Sequence, residues 1–411
     1  MTYLLDDKIS FDNTPNLDAF GRLRTSTPFT LFDSTQRFGK DTNFSESLTG
    51  AGTCTHDANS STLLLNVTSN GDKVIRESNK VFAYQPGKSL FVMRTFRMSD
   101  AANLIQRVGY YNAEDGVFLE KNGSTVNIVK RSSASGTVQE VRIPQTEWNV
   151  DRLDGYANTT NPSGITLDND RVQIFFMDFE WLGVGSVRCG FVIDGDFHVA
   201  HKFHHANKQP SANNDTTLPY MKTACLPVRC EIESTGGTGT LRLICSTVIS
   251  EGGYDLRGRP RSVGHELNTG RQLTNINQLY PLMSVRLKPN RLNGIAVPKN
   301  YEIFSLNPGS FRYSIISGQT SGGAWANTGS DSIVEYNLTP TSVNVGNTVH
   351  EIGFISATNQ ASGSTGQTDL PFKYQLERNP FSNTATEFII AVTTTTNNPN
   401  VCCVLNWEEV T

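Results

Sequence analysis

The chain reads as an all-β protein made of two stacked-sheet domains, and three observations predict this. Residues Arg171 to Gly253 run as short apolar and aromatic stretches broken by tight turns: RVQIFFMDFEWL, then Gly183-Val184-Gly185, SVRCGFVI, Asp194-Gly195 and FHVAHKF. Dense segments punctuated by Gly and Asp-Gly mark hairpins in a packed sheet. The composition, 9% aromatic and 18% charged with 34 glycines, suits many short strands and suits long helices poorly. At 411 residues the chain also exceeds the size at which one hydrophobic core keeps growing, so two domains are expected.

Taken in order, residues 1–42 differ from the rest. Between Thr14 and Lys40 the apolar residues Phe20, Phe29, Leu31, Phe32 and Phe38 follow neither a period of two nor one of 3.6. Too apolar for a solvated tail and too irregular for a self-sufficient element, this segment is expected to be an extended arm that docks, with packing as a loop on its own subunit as the open alternative.

Residues 43–250 read as the first β-sandwich. Expected strands are Ser61 to Val67, Lys80 to Tyr84, Ser89 to Met98, Val108 to Tyr111, Val117 to Lys121, Val126 to Arg131 and Thr137 to Ile143. The meander, Val228 to Ser234 and Leu241 to Ile249 follow. In the last of these Leu241, Leu243, Cys245, Thr247 and Ile249 alternate onto one side, as a half-buried strand requires. So many strands in one domain imply two packed sheets. In residues 251–277 the pattern lapses into Gly-rich sequence with arginines 257, 259, 261 and 271, which predicts a linker. Strands return across residues 278–411, among them Val349 to Ile355 and Val401 to Trp407, and predict a second sandwich.

The net charge of −4 supplies no basic field for nucleic acid, so no nucleic-acid partner is expected. Seven cysteines at irregular spacing, without a CxxC pair, imply reduced thiols, with Cys189, Cys230 and Cys245 at inward strand positions. The start MTYLLDDKIS has no basic segment ahead of an apolar one, and no run of 18 apolar residues occurs. Neither a signal peptide nor a membrane span is expected.

Few residues suggest chemistry. Asp178 and Glu180 lie two apart on one strand, the spacing that sets paired carboxylates on one sheet face in some sugar hydrolases. The third carboxylate that would complete an E-x-D-x-x-E pattern is missing, and the bland alternative pairs Asp178 with Arg188 across the hairpin. His198, His201, His204 and His205 invite a zinc reading, but on a strand His201 and His205 would stand roughly 13 Å apart, too far for one ion. Asp168-Asn169-Asp170 lacks the spacing of a calcium loop. Trp148, Tyr156, Trp181, Trp325 and Trp407 could stack on sugars or fill cores. The expectation is therefore no catalytic residue, no metal and no cofactor.

The segments FDNTPNLDAFGRLRTSTPFTLFDSTQRFGKD, EWNVDRLDG, SGITLD, FEWLGVGSVRCGFVIDGDFHVAHKFHHAN, LPVRCEIES and CSTVISEGG carry a family likeness. They resemble virion structural proteins of tailed bacteriophages, of a type found among phages of aquatic bacteria. The likeness covers about residues 10 to 260 and is weaker through the C-terminal third. It implies a concanavalin-like or jelly-roll sandwich. It also implies a non-enzymatic particle component, such as a fibre, collar or surface projection, assembled in the bacterial cytoplasm and carried on the virion.

Other virion proteins are the partners it implies, and three-fold self-association comes by the same analogy. On this reading Phe20, Phe29 and Phe32 bury against a neighbouring chain while Arg22 and Arg24 fix the register. Two alternatives stay open: an adhesin that binds a host-surface glycan, and a glycan hydrolase using Asp178 and Glu180.

Overall fold

A computed structural model describes residues 17–20, 23, 27–208, 217–253, 257–344, 346–357, 364–365, 374–396 and 398–410. The chain divides into two compact units, one of Met1–Ser78 and Phe82–Tyr254, the other of Asn79–Val81 and Asp255–Thr411. Both are β-sandwiches, and the only helix among the described residues is the 3-10 turn Gln145–Glu147. No helix of these residues is long and apolar enough to cross a membrane.

The described residues of the first unit form fifteen strands. In chain order they are β1 Phe29–Thr35, β2 Phe44–Thr49, β3 Thr53–Asp57, β4 Thr62–Val67, β5 Lys73–Ser78, β6 Leu90–Arg97, β7 Leu104–Tyr111 and β8 Gly116–Asn122. There follow β9 Thr125–Ser132, β10 Gln139–Pro144, β11 Gln173–Phe179, β12 Val187–Ile193, β13 Asp196–Phe203, β14 Val228–Ser234 and β15 Gly239–Ser250.

One sheet runs β13-β12-β11-β6-β15-β4-β3 with β1 also on β15, and the other runs β10-β9-β8-β7-β14-β5-β2. Alternate residues of both sheets, among them Leu65, Val92, Phe175 and Phe191 of the first and Val108, Tyr110, Ile128 and Ile232 of the second, meet in one core. This is the concanavalin-like jelly roll that the family likeness implies, with the second sandwich following it.

That second unit sets Arg259–Gly264, Asn400–Val410, Ile295–Ser305 and Ser364–Thr365 side by side in one sheet, with Arg271–Gln272 also on Asn400–Val410. The other sheet orders Ala326–Asn327, Val334–Asn337, Leu279–Leu287, Glu387–Thr394, Gly309–Gly318 and Thr348–Ala357. Tyr301, Leu405 and Trp407 from the first meet Leu282, Val285, Phe311 and Ile390 from the second in a shared core.

Four expectations need correction. Residues 29–35 are not part of a free arm: they form β1, which pairs antiparallel with β15 of the same chain. The register slips between Thr30 and Phe32, so Leu31 and Phe32 both reach the core, and this bulge is why the segment shows no period.

A second bulge, between Leu243 and Cys245, reverses the alternation of β15. Leu241 and Leu243 face the core and so does Val248, whereas Cys245 is exposed; Cys189 and Cys230 are buried as expected. Residues 251–277 are not simply a linker, because Arg259–Gly264 is an edge strand on Asn400–Val410. Arginines and a proline belong on an edge, where they block further pairing, and that composition imitates a loop. Lys80 to Tyr84, finally, forms no strand, although Phe82 and Tyr84 fill the first core.

Candidate functional site

The acidic pair is used up by the fold. Phe175, Met177 and Phe179 of β11 point into the core, so Asp178 lies on the opposite face of the sheet. There it is buried and bonded to the Ser89 hydroxyl and to Arg188, its cross-strand neighbour on β12. Arg188 also donates from Nη2 to the Leu17 carbonyl, at 2.6 Å. Glu180 lies beyond the end of β11 and folds back on the turn, taking the Ser186 amide at 3.2 Å and its hydroxyl at 2.8 Å. Each carboxylate is held by its own partners rather than left facing a shared substrate position.

The histidines disperse likewise. His205 lies flat on Tyr220, with ring centroids 3.9 Å apart. Its Nδ1 is 2.5 Å from the Gly185 carbonyl and its Nε2 is 3.1 Å from Lys130 Nζ. Donation from Nδ1 to that carbonyl leaves Nε2 to accept from the lysine. Burial, with help from Lys130, drops His205 to about 3. Burial takes His201, edge-on to Phe203, to about 4 and Lys130 to about 8. Among the described residues no group of three His, Cys, Asp or Glu could hold a metal ion.

Asp168 accepts from the Asp170 amide at 3.0 Å, and Asp170 pairs with Arg97 at 2.7 Å, as in a solvated turn. Of the aromatics, Trp148 and Trp407 are buried and Trp181 bonds the Met221 carbonyl, while Trp325 lies under the Arg286 guanidinium. Tyr156 alone of the five is open, at 93% exposure.

The expected assembly residues are scattered. Phe32 packs on Phe82 and Phe44 of its own core, with centroids 4.9 and 5.7 Å away, so it is not available to a neighbouring chain. Phe29 is half-buried at the start of β1, opposite Ser250. Phe20 is half-buried in a turn that closes with the Leu17–Leu23 bridge, its amide donating to Asp18 at 3.0 Å. Arg22 and Arg24 lie outside the described residues.

Among the described residues, the largest constellation of charged groups is one that sequence reasoning missed. On the seven-stranded sheet, Val108, Tyr110, Val117, Leu119, Ile128, Cys230 and Ile232 face the core. Their neighbours Arg107, Tyr111, Phe118, Glu120, Val129, Arg131, Arg229 and Glu231 therefore share the opposite face. Glu77, Glu140 and Arg142 join them through the register.

Across the strands the charges alternate in sign. Glu77 pairs with Arg229 at 2.8 Å, Arg229 with Glu231 at 3.1 Å, and Glu231 with Arg107. Arg107 then pairs with Glu120 at 2.7 Å, Glu120 with Arg142 at 2.8 Å, Arg142 with Glu140, and Glu140 with Arg131 at 2.6 Å. The ladder folds over an apolar patch, because Arg131 caps the rings of Phe118 and Tyr111, at 5.0 and 5.4 Å, and Arg229 caps Tyr111 at 5.5 Å.

Burial raises the Glu231 carboxyl, but Arg107 and Arg229 outweigh it and hold the group down at about 2. Burial also lowers Arg107, and Glu231 more than restores it. A carboxyl at about 2 is an anion near neutral pH and cannot act there as a proton donor. The face is a closed electrostatic fabric that braces five adjacent strands and the edge strand β10.

No protein-family model matches the chain, and no curated protein matches it. Among solved structures it is similar to the Emp47p carbohydrate recognition domain, at 9% identity and a TM-score of 0.32, over 55% of this chain and 97% of that one. It is also similar to the apo Crh5 transglycosylase, at 12% identity and 0.32, over 56% and 88%. A lectin from Bauhinia forficata in complex with GalNAc gives 12% and 0.31, over 55% and 99%. Likeness this low assigns none of their activities to this chain.

Proposed function

We propose that the chain is a non-enzymatic structural component of a tailed-phage virion, a fibre, collar or surface projection that associates with itself and with other particle proteins. The observation that carries the structural half is the fate of the groups that could do chemistry. Asp178 is tied to Ser89 and Arg188, Glu231 and Glu120 to Arg107, and His205 to Gly185 and Lys130. Each supports a strand or a turn. The motif likeness across residues 10 to 260 supports the virion half, together with reduced cysteines suited to assembly in bacterial cytoplasm.

The strap that would join the particle has to be redrawn. Removing residues 1–40 would delete β1 and Phe32 and so damage the first sandwich. Removing residues 1–27 spares β1, and the proposal expects a folded chain that is no longer incorporated into particles. Normal incorporation of that truncated chain would refute attachment through this segment.

One observation favours glycan binding as a second reading. Tyr156 stands almost fully exposed on a loop that is fixed from beneath. The Asp151 carboxylate takes the Leu153 and Ser163 amides, both at 3.1 Å, and the fully buried Asn161 amide donates to the carbonyls of Tyr156 and Ile165. A pre-ordered aromatic beside Asn158 and Thr160 suits stacking on a sugar face. A glycan array tests it: binding that disappears in Tyr156→Ala supports an adhesin, and an empty array removes this reading.

A further inference from the structure

We propose that the core of the first unit binds a small monovalent anion of the chloride class, held by the guanidinium of Arg94 with the Ser246 hydroxyl beside it. The inference stands apart from the virion reading. Arg94 lies on β6 between Val92 and Phe96, which both face the core, while Phe91 and Met93 pack together on the outer face. Successive strand residues point to opposite sides, so the Arg94 side chain enters the space between the two sheets. Only 3% of the residue is exposed.

Six arginines are buried among the described residues, and Arg94 is the exception in that group. Arg76 pairs with Glu46, Arg131 with Glu140, Arg188 with Asp178 and Arg229 with Glu77, while Arg378 donates to the Asn293 side chain at 2.8 Å. Among the described residues Arg94 forms no ion pair, and its Nη1 is buried without a hydrogen-bond partner. A guanidinium keeps its proton inside proteins, so a full positive charge sits in this core. Burial pulls Arg94 below the ordinary arginine range, against the weaker pull of Cys230, Tyr111 and Cys245.

The groups around it supply no counter-ion. In register Arg94 stands beside Ser246 of β15 and Phe175 of β11, and Ser246 stands beside Ser34 of β1. Cys230 faces the same core from β14, next to Arg76 of β5. Burial pushes the Cys230 thiol up, so it stays neutral, and it donates to the Arg76 carbonyl at 3.6 Å. Glu46 is already shared by Arg76 and by Lys40, the latter at 2.9 Å, and Asp41 takes the Ser34 hydroxyl.

The chemistry also selects the ligand. A buried charge is tolerated when an opposite charge and hydrogen bonds satisfy it, and one guanidinium with one hydroxyl matches a single negative charge. A divalent oxyanion would leave its second charge buried and unpaired. Sheets packed about 10 Å apart and filled by side chains such as Val92, Phe175 and Cys230 favour a single-atom anion over a polyatomic one.

Urea unfolding of the full-length chain tests the site, in sodium chloride from about 10 mM to 1 M with sodium gluconate holding the ionic strength constant. The folded-to-unfolded ratio of the first unit, read through Trp148 and Trp181, should rise by up to about tenfold for each tenfold rise in chloride. Arg94→Met should abolish that dependence, and Arg94→Lys, which keeps the charge, should retain part of it. Crystals grown in bromide should show bromide beside Arg94 and Ser246 through its anomalous scattering. That measurement needs no variant and decides the matter if Arg94→Met does not fold.

Equal stability in chloride and gluconate at every concentration, or a dependence that survives in Arg94→Met, overturns the inference. So does bromide found only elsewhere, with water against the guanidinium. None of those outcomes touches the virion reading, which is tested by finding the chain in particles.

Discussion

Glu231→Gln isolates the central rung of the charged ladder. The substitution keeps the shape of the side chain and removes the charge that Arg107 and Arg229 share. In the folded protein this carboxyl titrates at about 2 against an ordinary 4.5. That difference corresponds to roughly 3 kcal/mol of folding stability.

The sign follows from the direction of the shift. Because the folded value is depressed, the contribution is complete above 4.5 and is lost as pH falls from there through about 2. The variant lacks it at every pH. Urea unfolding of the first unit, followed through Trp148 and Trp181, should therefore give the variant about 3 kcal/mol less stability at pH 7, with the two proteins converging as pH approaches 2. A gap below about 1 kcal/mol at pH 7, the range of an exposed pair, would refute the account of the ladder as a buried, coupled network. So would a gap that does not close with acid.

Other substitutions test the packing. Phe32→Ala should cost the isolated chain about 3–5 kcal/mol, whereas an arm docked only on a neighbour would leave it unaffected in thermal melts. Gly190→Ala should prevent the first unit from folding normally, since an added Cβ would lie 2.0 Å from the His198 carbonyl, as circular dichroism would reveal.

His205 and His201 are held neutral, at about 3 and about 4, so acid favours the unfolded chain, which takes up protons first. As pH falls below about 6.5 each should remove stability at a slope that rises toward about 1.4 kcal/mol per pH unit by pH 5, and His205→Phe should flatten that part of the curve.

Sequence alone exposes what is local. β8, β9 and β14 alternate cleanly, with Val117 and Leu119, Val126 and Ile128, and Val228, Cys230 and Ile232 on the core side, and so they read as strands. The Asp178–Arg188 pair was legible because both residues belong to one hairpin, whose short turn fixes the register.

What stayed hidden depends on departures from regular period or on distant register. Bulges at Leu31 and Ile244 break the alternation of β1 and β15. The Arg259–Gly264 edge resembles a loop because its charges face solvent. Lys80 to Tyr84 is apolar because it fills a core, without being paired in a sheet.

The charged ladder needed one more piece of information. Arg107, Glu120, Arg131 and Glu231 each occupy an alternate strand position, so the sequence shows that they face away from the core. Only the order β8-β7-β14, which sets Arg107 between Glu120 and Glu231, turns them into one network. That order joins residues more than 100 positions apart, as the separation of 124 positions between Arg107 and Glu231 shows.

Imaging of intact phage particles, with the chain marked by a specific antibody fragment, tests the structural role most directly. The account predicts a fixed number of copies at one symmetric position on the head, collar or tail, still attached after the particles are purified. Purified, infectious particles that contain none of this chain would contradict it.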